Sequence, residues 1–227
     1  MSAVRDQLHI VNGPPREEWP HLAPPELSIL PAPNAAGRDD DDVRYWSRGV
    51  EMVPIITGAA PVMDCRDLID ACQRLGVALP LMGRVLDIGC GTGRWQRFCA
   101  AYIGLDISPS AVAYAHRRGL TAYHIKGYGP SALDGWLGGC EWICCFSVFT
   151  HIPFEQRHDY LEAFRRVGER LLVDIIPGDG SGQIALWTAT VEDFDHDLMV
   201  TGWRVDAVAE RVSLDGVTHR YYRCSHL

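Results

Sequence analysis

From Arg84 onward, short apolar runs alternate with longer stretches in which apolar residues return every three or four positions. The runs Arg84 to Ile88, Tyr102 to Asp106, Thr121 to Ile125, Trp142 to Phe146 and Leu171 to Ile176 read as strands, because each is too short for a buried helix. Helical spacing falls between them, near Trp95 to Ala100, Pro109 to Arg118 and Phe154 to Val167. Strands that alternate with helices at this distance need crossover connections, and these build a parallel sheet covered on both faces. A helix over Val191 to Val200 and strands over Trp203 to Val212 and His219 to Cys224 follow. Asp215-Gly216 lies between the last two strands and is a hairpin signal, so these two should pair antiparallel. The expected architecture is α/β and doubly wound, with a mostly parallel seven-stranded sheet and an antiparallel C-terminal strand. Upstream, Val62, Cys65, Leu68, Ile69, Cys72 and Leu75 mark one face of an amphipathic helix over Pro61 to Leu75, with Gly76 as its stop.

The N-terminal part departs from this rhythm. Residues 12 to 33 hold seven of the fourteen prolines, which forbids a regular helix or a central strand there. The segment reads as an extended arm: either a flexible tail or a strap laid over the domain through Trp19, Leu22, Leu27, Ile29 and Leu30. Asp39 to Asp42 then precede Val43-Arg44-Tyr45-Trp46, where carboxylates can satisfy the free N–H groups of a helix start. Adjacent aspartates without interleaved ligands read as such a cap rather than a metal site. Three segments result: an acidic, proline-rich arm over 1–42, N-terminal helices or a lid over 43–79, and the α/β domain over 80–227.

Charge narrows the list of partners. The chain has 227 residues and a formal charge of −8, of which residues 1 to 42 carry −5 through three Arg against eight Asp and Glu. The remaining −3 leaves the α/β part nearly neutral, with no Lys or Arg cluster, so DNA is not an expected partner. No uninterrupted apolar run reaches about 18 residues and no basic segment followed by an apolar run opens the chain, which predicts a cytoplasmic protein without a membrane partner. The eight cysteines contain no C-x-x-C pair and read as buried thiols rather than zinc ligands or disulfides.

The chemistry gathers where the first strand ends. In Val85-Leu86-Asp87-Ile88-Gly89-Cys90-Gly91-Thr92-Gly93 an apolar strand runs into a loop with glycine at every second position. Such a loop lets backbone N–H groups approach a ligand at the mouth of the next element, and nicotinamide and flavin enzymes use one as well. Asp87 would repel a diphosphate there but attract a cationic ligand. The sixth position of the dinucleotide pattern counted from Gly89 is Arg94, not glycine or alanine. The second strand ends at Gly104-Leu105-Asp106-Ile107-Ser108, which sets another carboxylate at the same edge.

The segment Asp87 to Gly93, taken with Asp106, resembles motif I and the following strand of the class I S-adenosylmethionine-dependent methyltransferases. The segment Phe146-Ser147-Val148-Phe149-Thr150-His151-Ile152-Pro153 resembles the stretch after the fourth strand of small-molecule methyltransferases. The resemblance covers about residues 80 to 212 and implies a Rossmann-like methyltransferase fold. It also implies S-adenosylmethionine as cofactor, with S-adenosylhomocysteine as product. It assigns cofactor binding to Asp87, Gly89, Cys90, Gly91, Gly93, Asp106, Ile107, Phe146 and Ser147, with the ribose hydroxyls on Asp106. Relatives often hold the adenine through an acidic side chain after the third strand; here Lys126-Gly127-Tyr128 stands there, so Gly127 backbone groups and Tyr128 take that role. By the same analogy Tyr45 and Trp46, with Arg48, close over the methionine end, the other reading being that Trp46 anchors its helix to the core.

For catalysis, the cofactor brings an activated methyl group, so the protein must align a nucleophile and exclude water. An acceptor that is a hydroxyl or a protonated amine also needs a base, and His151 is the candidate, its other reading being a brace for the next helix. Asp174 and Trp187 are candidates to face the acceptor. No set of converging ligands suggests a metal. The fourth strand is not followed by the Asn/Asp-Pro-Pro-Tyr of amino-group DNA methylation, and no Pro-Cys dipeptide offers a cytosine-C5 nucleophile. A small-molecule acceptor, methylated on oxygen or nitrogen, is the first reading. Protein or RNA methylation and a non-catalytic module that binds the cofactor remain as alternatives.

Because bonds to a charged group contribute about 1.5 to 3 kcal/mol, Asp106→Ala is expected to weaken cofactor affinity roughly tenfold to a hundredfold. Titration calorimetry reads this directly, and an unchanged affinity removes Asp106 from the site.

Overall fold

The computed structural model describes residues 65–91, 93–125, 133, 139–152, 154–178, 182–183, 186–212 and 217–227. Five strands, β1 (Leu81–Ile88), β2 (Cys99–Asp106), β3 (Ala122–His124), β4 (Cys140–Cys145) and β5 (Gly168–Ile175), run parallel. A two-strand ribbon, β6 (Gly182–Gln183) and β7 (Leu186–Trp187), follows, and β8 (Trp203–Val212) and β9 (Thr218–His226) complete the chain. The main sheet has seven strands in the order β3-β2-β1-β4-β5-β9-β8, and β9 is antiparallel to both its neighbours. The strand order reverses between β1 and β4, so the chain crosses from one half of the sheet to the other beside the glycine loop. An α/β sheet presents its ligand crevice at such a point.

Burial explains the apolar runs. Val85 to Ile88, Trp142 to Cys145 and Leu171 to Ile175 are buried at every position, as strands covered on both faces require. On one face lie α1 (Cys65–Arg74), a 3-10 turn over Arg94–Phe98 and α2 (Pro109–Arg117), which bury Leu68, Cys72, Leu75, Trp95 and Val112 against Val85, Cys144 and Leu172. The other face takes α3 (Arg157–Val167) and α4 (Val191–Val200), which bury Leu161, Phe164, Phe194 and Leu198 against Leu86, Ile143 and Val173. Helix starts follow local rules: the Ser108 hydroxyl accepts from Ala111 N–H at 3.2 Å ahead of Pro109, and Thr190 accepts from Asp193 N–H at 3.0 Å. Seven cysteines are buried and free, and no described helix is long and apolar enough to cross a membrane.

Two expected boundaries change. The helix expected over Trp95 to Ala100 is only the five-residue 3-10 turn, and Cys99 and Ala100 already belong to β2. Cys99 pairs with Leu81 at the start of β1, so the chain must return to the sheet at once and has no length for an α-helix. The helix expected over Phe154 to Val167 opens with a 3-10 turn, Phe154–Gln156, before α3 begins. α3 then runs into β5 with no loop, because Gly168 lets the backbone pass where a Cβ would come 2.6 Å from Ile143 Cγ1. Of the N-terminal helix, Cys65 to Arg74 is described; the arm over 1–42 and the segment 43–64 lie outside the described residues.

Trp203 joins the β8 edge to α3: it is 1% exposed, and its indole N–H donates to the Leu161 carbonyl at 2.9 Å. Trp203→Ala is expected to cost about 3–5 kcal/mol in urea unfolding, and Trp203→Phe less. A loss under about 1 kcal/mol for the alanine variant would place this edge outside the cooperative unit.

Candidate active site

The loop after β1 is shaped by its glycines. All three have positive φ, at 67°, 53° and 79° for Gly89, Gly91 and Gly93. A Cβ on Gly89 would lie 2.3 Å from Val148 Cγ2, and one on Gly93 would lie 2.4 Å from Leu120 Cδ1. Packing therefore demands those two. A Cβ on Gly91 meets no described atom within 4 Å, so among the described residues this backbone has room for a ligand to come close. Cys90 N–H donates to the Leu105 carbonyl at 3.0 Å, which ties the loop to β2. The Cys90 side chain fills the space left by Gly104, where a Cβ would come 2.6 Å from the sulfur.

Two carboxylates flank the open backbone. Asp106 at the end of β2 is 8% exposed; its Oδ2 accepts from Gly91 N–H at 2.6 Å and its Oδ1 from Ser108 N–H at 2.8 Å. It thus braces the loop and the start of α2 together. Asp87 is 3% exposed and accepts from the Tyr102 hydroxyl at 2.8 Å. Burial pushes its carboxyl up to about 7; the Tyr102 bond and the positive charge of Arg94 oppose this, and the Asp106 charge adds to it. Near neutral pH a small input of positive charge decides whether Asp87 is ionised.

The third wall comes from the end of β4. Phe146 stacks on Trp95 at 5.0 Å and meets Tyr221 at 6.2 Å. Ser147, at φ 59°, is the single non-glycine residue with positive φ among those described, and its N–H donates to Asp174 Oδ1. That bond holds an uncommon backbone conformation next to Val148, the residue packed on Gly89. Asp174 is 1% exposed, and its Oδ2 accepts from His219 Nδ1 at 2.8 Å. His151 closes the 3-10 turn Phe149–His151 and is exposed. Ile107 is half-buried, and its carbonyl accepts from His124 Nε2 at 3.1 Å.

Thus Asp87, Gly89, Cys90, Gly91, Gly93, Asp106, Ile107, Phe146, Ser147 and His151 all sit at the C-terminal edge of β1, β2 and β4. Tyr45, Trp46, Arg48, Lys126, Gly127 and Tyr128 lie outside the described residues, and nothing is described of the Trp187 side chain. Sequence reasoning missed Tyr102, Trp95 and His219. Tyr102 had a signal: it lies on the neighbouring strand, in register with Val85, two residues before Asp87. His219, 45 positions from Asp174, had none. Among the described residues no three His, Cys, Asp or Glu side chains gather as a metal site.

Comparison with known proteins agrees with this fold. Residues 85–169 match the family model described as a methyltransferase domain. The structure of magnesium protoporphyrin IX methyltransferase from Synechocystis PCC 6803 with bound S-adenosylmethionine superposes with a TM-score of 0.65 at 15% identity, covering 88% of this chain and 100% of that one. The 1,6-didemethyltoxoflavin-N1-methyltransferase of Burkholderia thailandensis, with 1,6-didemethyltoxoflavin and S-adenosylhomocysteine bound, superposes at 0.55 with 17% identity, covering 88% and 92%. An uncharacterised protein of Mycobacterium tuberculosis is 32% identical over 130 residues, which are 55% of this chain and 42% of that protein. The chain therefore spans less than half the length of the curated relatives it matches.

The fold is that of the class I S-adenosylmethionine-dependent methyltransferases. Residues 85–169 match the model of a methyltransferase domain, and S-adenosylmethionine is the cofactor of that class. The residues present fit it: a glycine backbone that no described atom crowds, a carboxylate that closes β2 beside it, and a buried carboxyl that a positive charge would ionise.

The raised Asp87 has a signed consequence. Between its ordinary value of 3.8 and about 7 the folded, ligand-free protein holds a proton that the unfolded chain has lost, so this group's contribution to stability falls as pH rises through that window. A cationic ligand favours the ionised form, so S-adenosylhomocysteine, which carries an ammonium, is expected to bind about tenfold tighter at pH 8 than at pH 6. Calorimetry at the two pH values checks this. Asp87→Asn should flatten the difference and raise the melting temperature of the ligand-free protein at pH 8.

Proposed function

We propose that this chain transfers the methyl group of S-adenosylmethionine to a small-molecule acceptor, on oxygen or nitrogen, at the edge formed by β1, β2 and β4. The observation that carries the reading is the open side of Gly91 between Asp87 and Asp106. That arrangement suits an adenosyl ligand whose amino-acid end carries an ammonium and would repel a diphosphate. When bound, the cofactor supplies a methyl group already activated on a cationic sulfur.

The chain's own residues do the rest. Asp106 accepts from the ribose hydroxyls, and Asp87 favours the ammonium end. Gly89, Cys90, Gly91 and Gly93 lay the loop against the ligand, while Ile107, Phe146 and Ser147 line its flanks. Tyr45 and Trp46 cover the methionine end, and Gly127 and Tyr128 hold the adenine. Where the acceptor must lose a proton, His151 takes it from the rim of the site. The near-neutral charge outside the first 42 residues supports a small acceptor over a nucleic acid. The two neighbours named above, methyltransferases of magnesium protoporphyrin IX and of 1,6-didemethyltoxoflavin, support it by analogy of fold.

Methyl-labelled S-adenosylmethionine incubated with a cell extract separates the readings. Label in the low-molecular-weight fraction is the expected outcome. Label in protein or RNA points to a macromolecular acceptor. Tight S-adenosylhomocysteine binding with no labelled product in any fraction makes this a cofactor-binding module, and no binding at all overturns the cofactor assignment.

A further inference from the structure

The chain leaves β4 through Phe146, Ser147 and Val148, and the outer two residues hold opposite ends of the glycine loop. Val148 fills the space over Gly89, where a Cβ would lie 2.3 Å from its Cγ2. Phe146 stacks at 5.0 Å on Trp95, which follows Gly93 and Arg94. In an extended strand, residues two apart share a face. Phe146 and Val148 do not: the first packs into the core that α1 covers, the second against the core that α3 and α4 cover. The backbone makes the change at Ser147, which stands at φ 59°. Side chains hold both polar groups of this residue's backbone. Its N–H donates to Asp174 Oδ1, and its carbonyl accepts from the Thr150 hydroxyl at 3.2 Å. Asp174 and Thr150 are both buried.

A serine has no preference of its own for positive φ, so the conformation persists only where its surroundings impose it. Of the two bonds that do so, the one to a carboxylate is the stronger. We propose that Asp174 is a positioning residue for methyl transfer: it holds Ser147 at positive φ and thereby sets both ends of the glycine loop in the shape that binds the cofactor. The inference rests on the methyl-transfer reading given above. With the bond in place, Val148 presses on Gly89 while Phe146 lies on Trp95, and Gly91 is carried between them. Without it, Ser147 relaxes toward negative φ, residues 146 and 148 turn back toward one face, and one of the two contacts is lost. The loop then keeps its binding shape for only part of the time, and the apparent affinity falls by that fraction. Asp174 thus acts on the cofactor through Ser147, its second oxygen being held by His219 Nδ1 at 2.8 Å.

Calorimetry of the full chain with S-adenosylhomocysteine tests this. Asp174→Ala is expected to weaken binding about tenfold, a loss of the size that backbone strain at one residue can produce. In the Ser147→Gly background the same substitution should weaken it less than about threefold, because glycine takes positive φ without support. Loss of the His219 bond is common to both backgrounds and cancels in the comparison. A second pair of variants keeps Asp174 in place and decides the matter alone if Asp174→Ala does not fold. Ser147→Asn and Ser147→Val are similar in size, but asparagine tolerates positive φ and a branched Cβ resists it, so the first should bind at least about fivefold tighter than the second. Equal weakening by Asp174→Ala in both backgrounds, weakening under about threefold in the serine chain, or Ser147→Val binding as tightly as Ser147→Asn each overturns the proposal. Failure of the wild type to bind S-adenosylhomocysteine would instead sink the methyltransferase reading itself.

Discussion

The architecture of the site depends on one carboxylate that accepts from two backbone segments. Asp106 takes Gly91 N–H on one oxygen and Ser108 N–H on the other, so the loop after β1 and the start of α2 are set by the same side chain. Charge-assisted bonds of this kind are about twice as strong as neutral ones, and here they hold a loop whose glycines would otherwise sample many conformations. The packing of Gly89 on Val148 and of Gly93 on Leu120 fixes its two ends and leaves the half-buried Gly91 between them uncrowded by any described atom.

The same edge stores electrostatic cost. Asp87 lies under the loop where burial holds its carboxyl near neutrality, with Tyr102 as hydrogen-bond donor and Asp106 as a like charge. A group in that state opposes the folded protein when ionised and gains most when a cation arrives, so the strain is relieved by the ligand the site selects. Asp174 solves a related problem differently: two hydrogen bonds satisfy its buried oxygens, one from the positive-φ Ser147 and one from His219. Both devices occur where strands end, because only there do side chains from separate strands converge on space that the sheet does not fill.

Much of this was legible in the residues. The apolar runs named the strands because a strand buried on both faces must be apolar throughout, and Asp215-Gly216 announced the antiparallel close that β8 and β9 make. Glycine spacing and the two aspartates named the loop and its carboxylates, since those residue types are required locally. What was not legible is equally specific. The turn after the loop reads the same at three or 3.6 residues per repeat; the pairing of Cys99 with Leu81 decided for the shorter form. Phe146 was expected as a strand residue lining the cofactor, but its stacking on Trp95 and Tyr221 joins segments about 50 and 75 positions away.

By itself the sequence determined the class of fold, the direction of the final hairpin and the positions of the glycine loop, Asp87 and Asp106, because periodicity, turn chemistry and backbone freedom act over a few residues. Only the tertiary structure decided which glycine is left uncrowded, which hydroxyl meets Asp87, and that one buried carboxylate joins Ser147 to His219. Those contacts arise from strand order and register, which bring distant segments together with no trace in the spacing of residues along the chain.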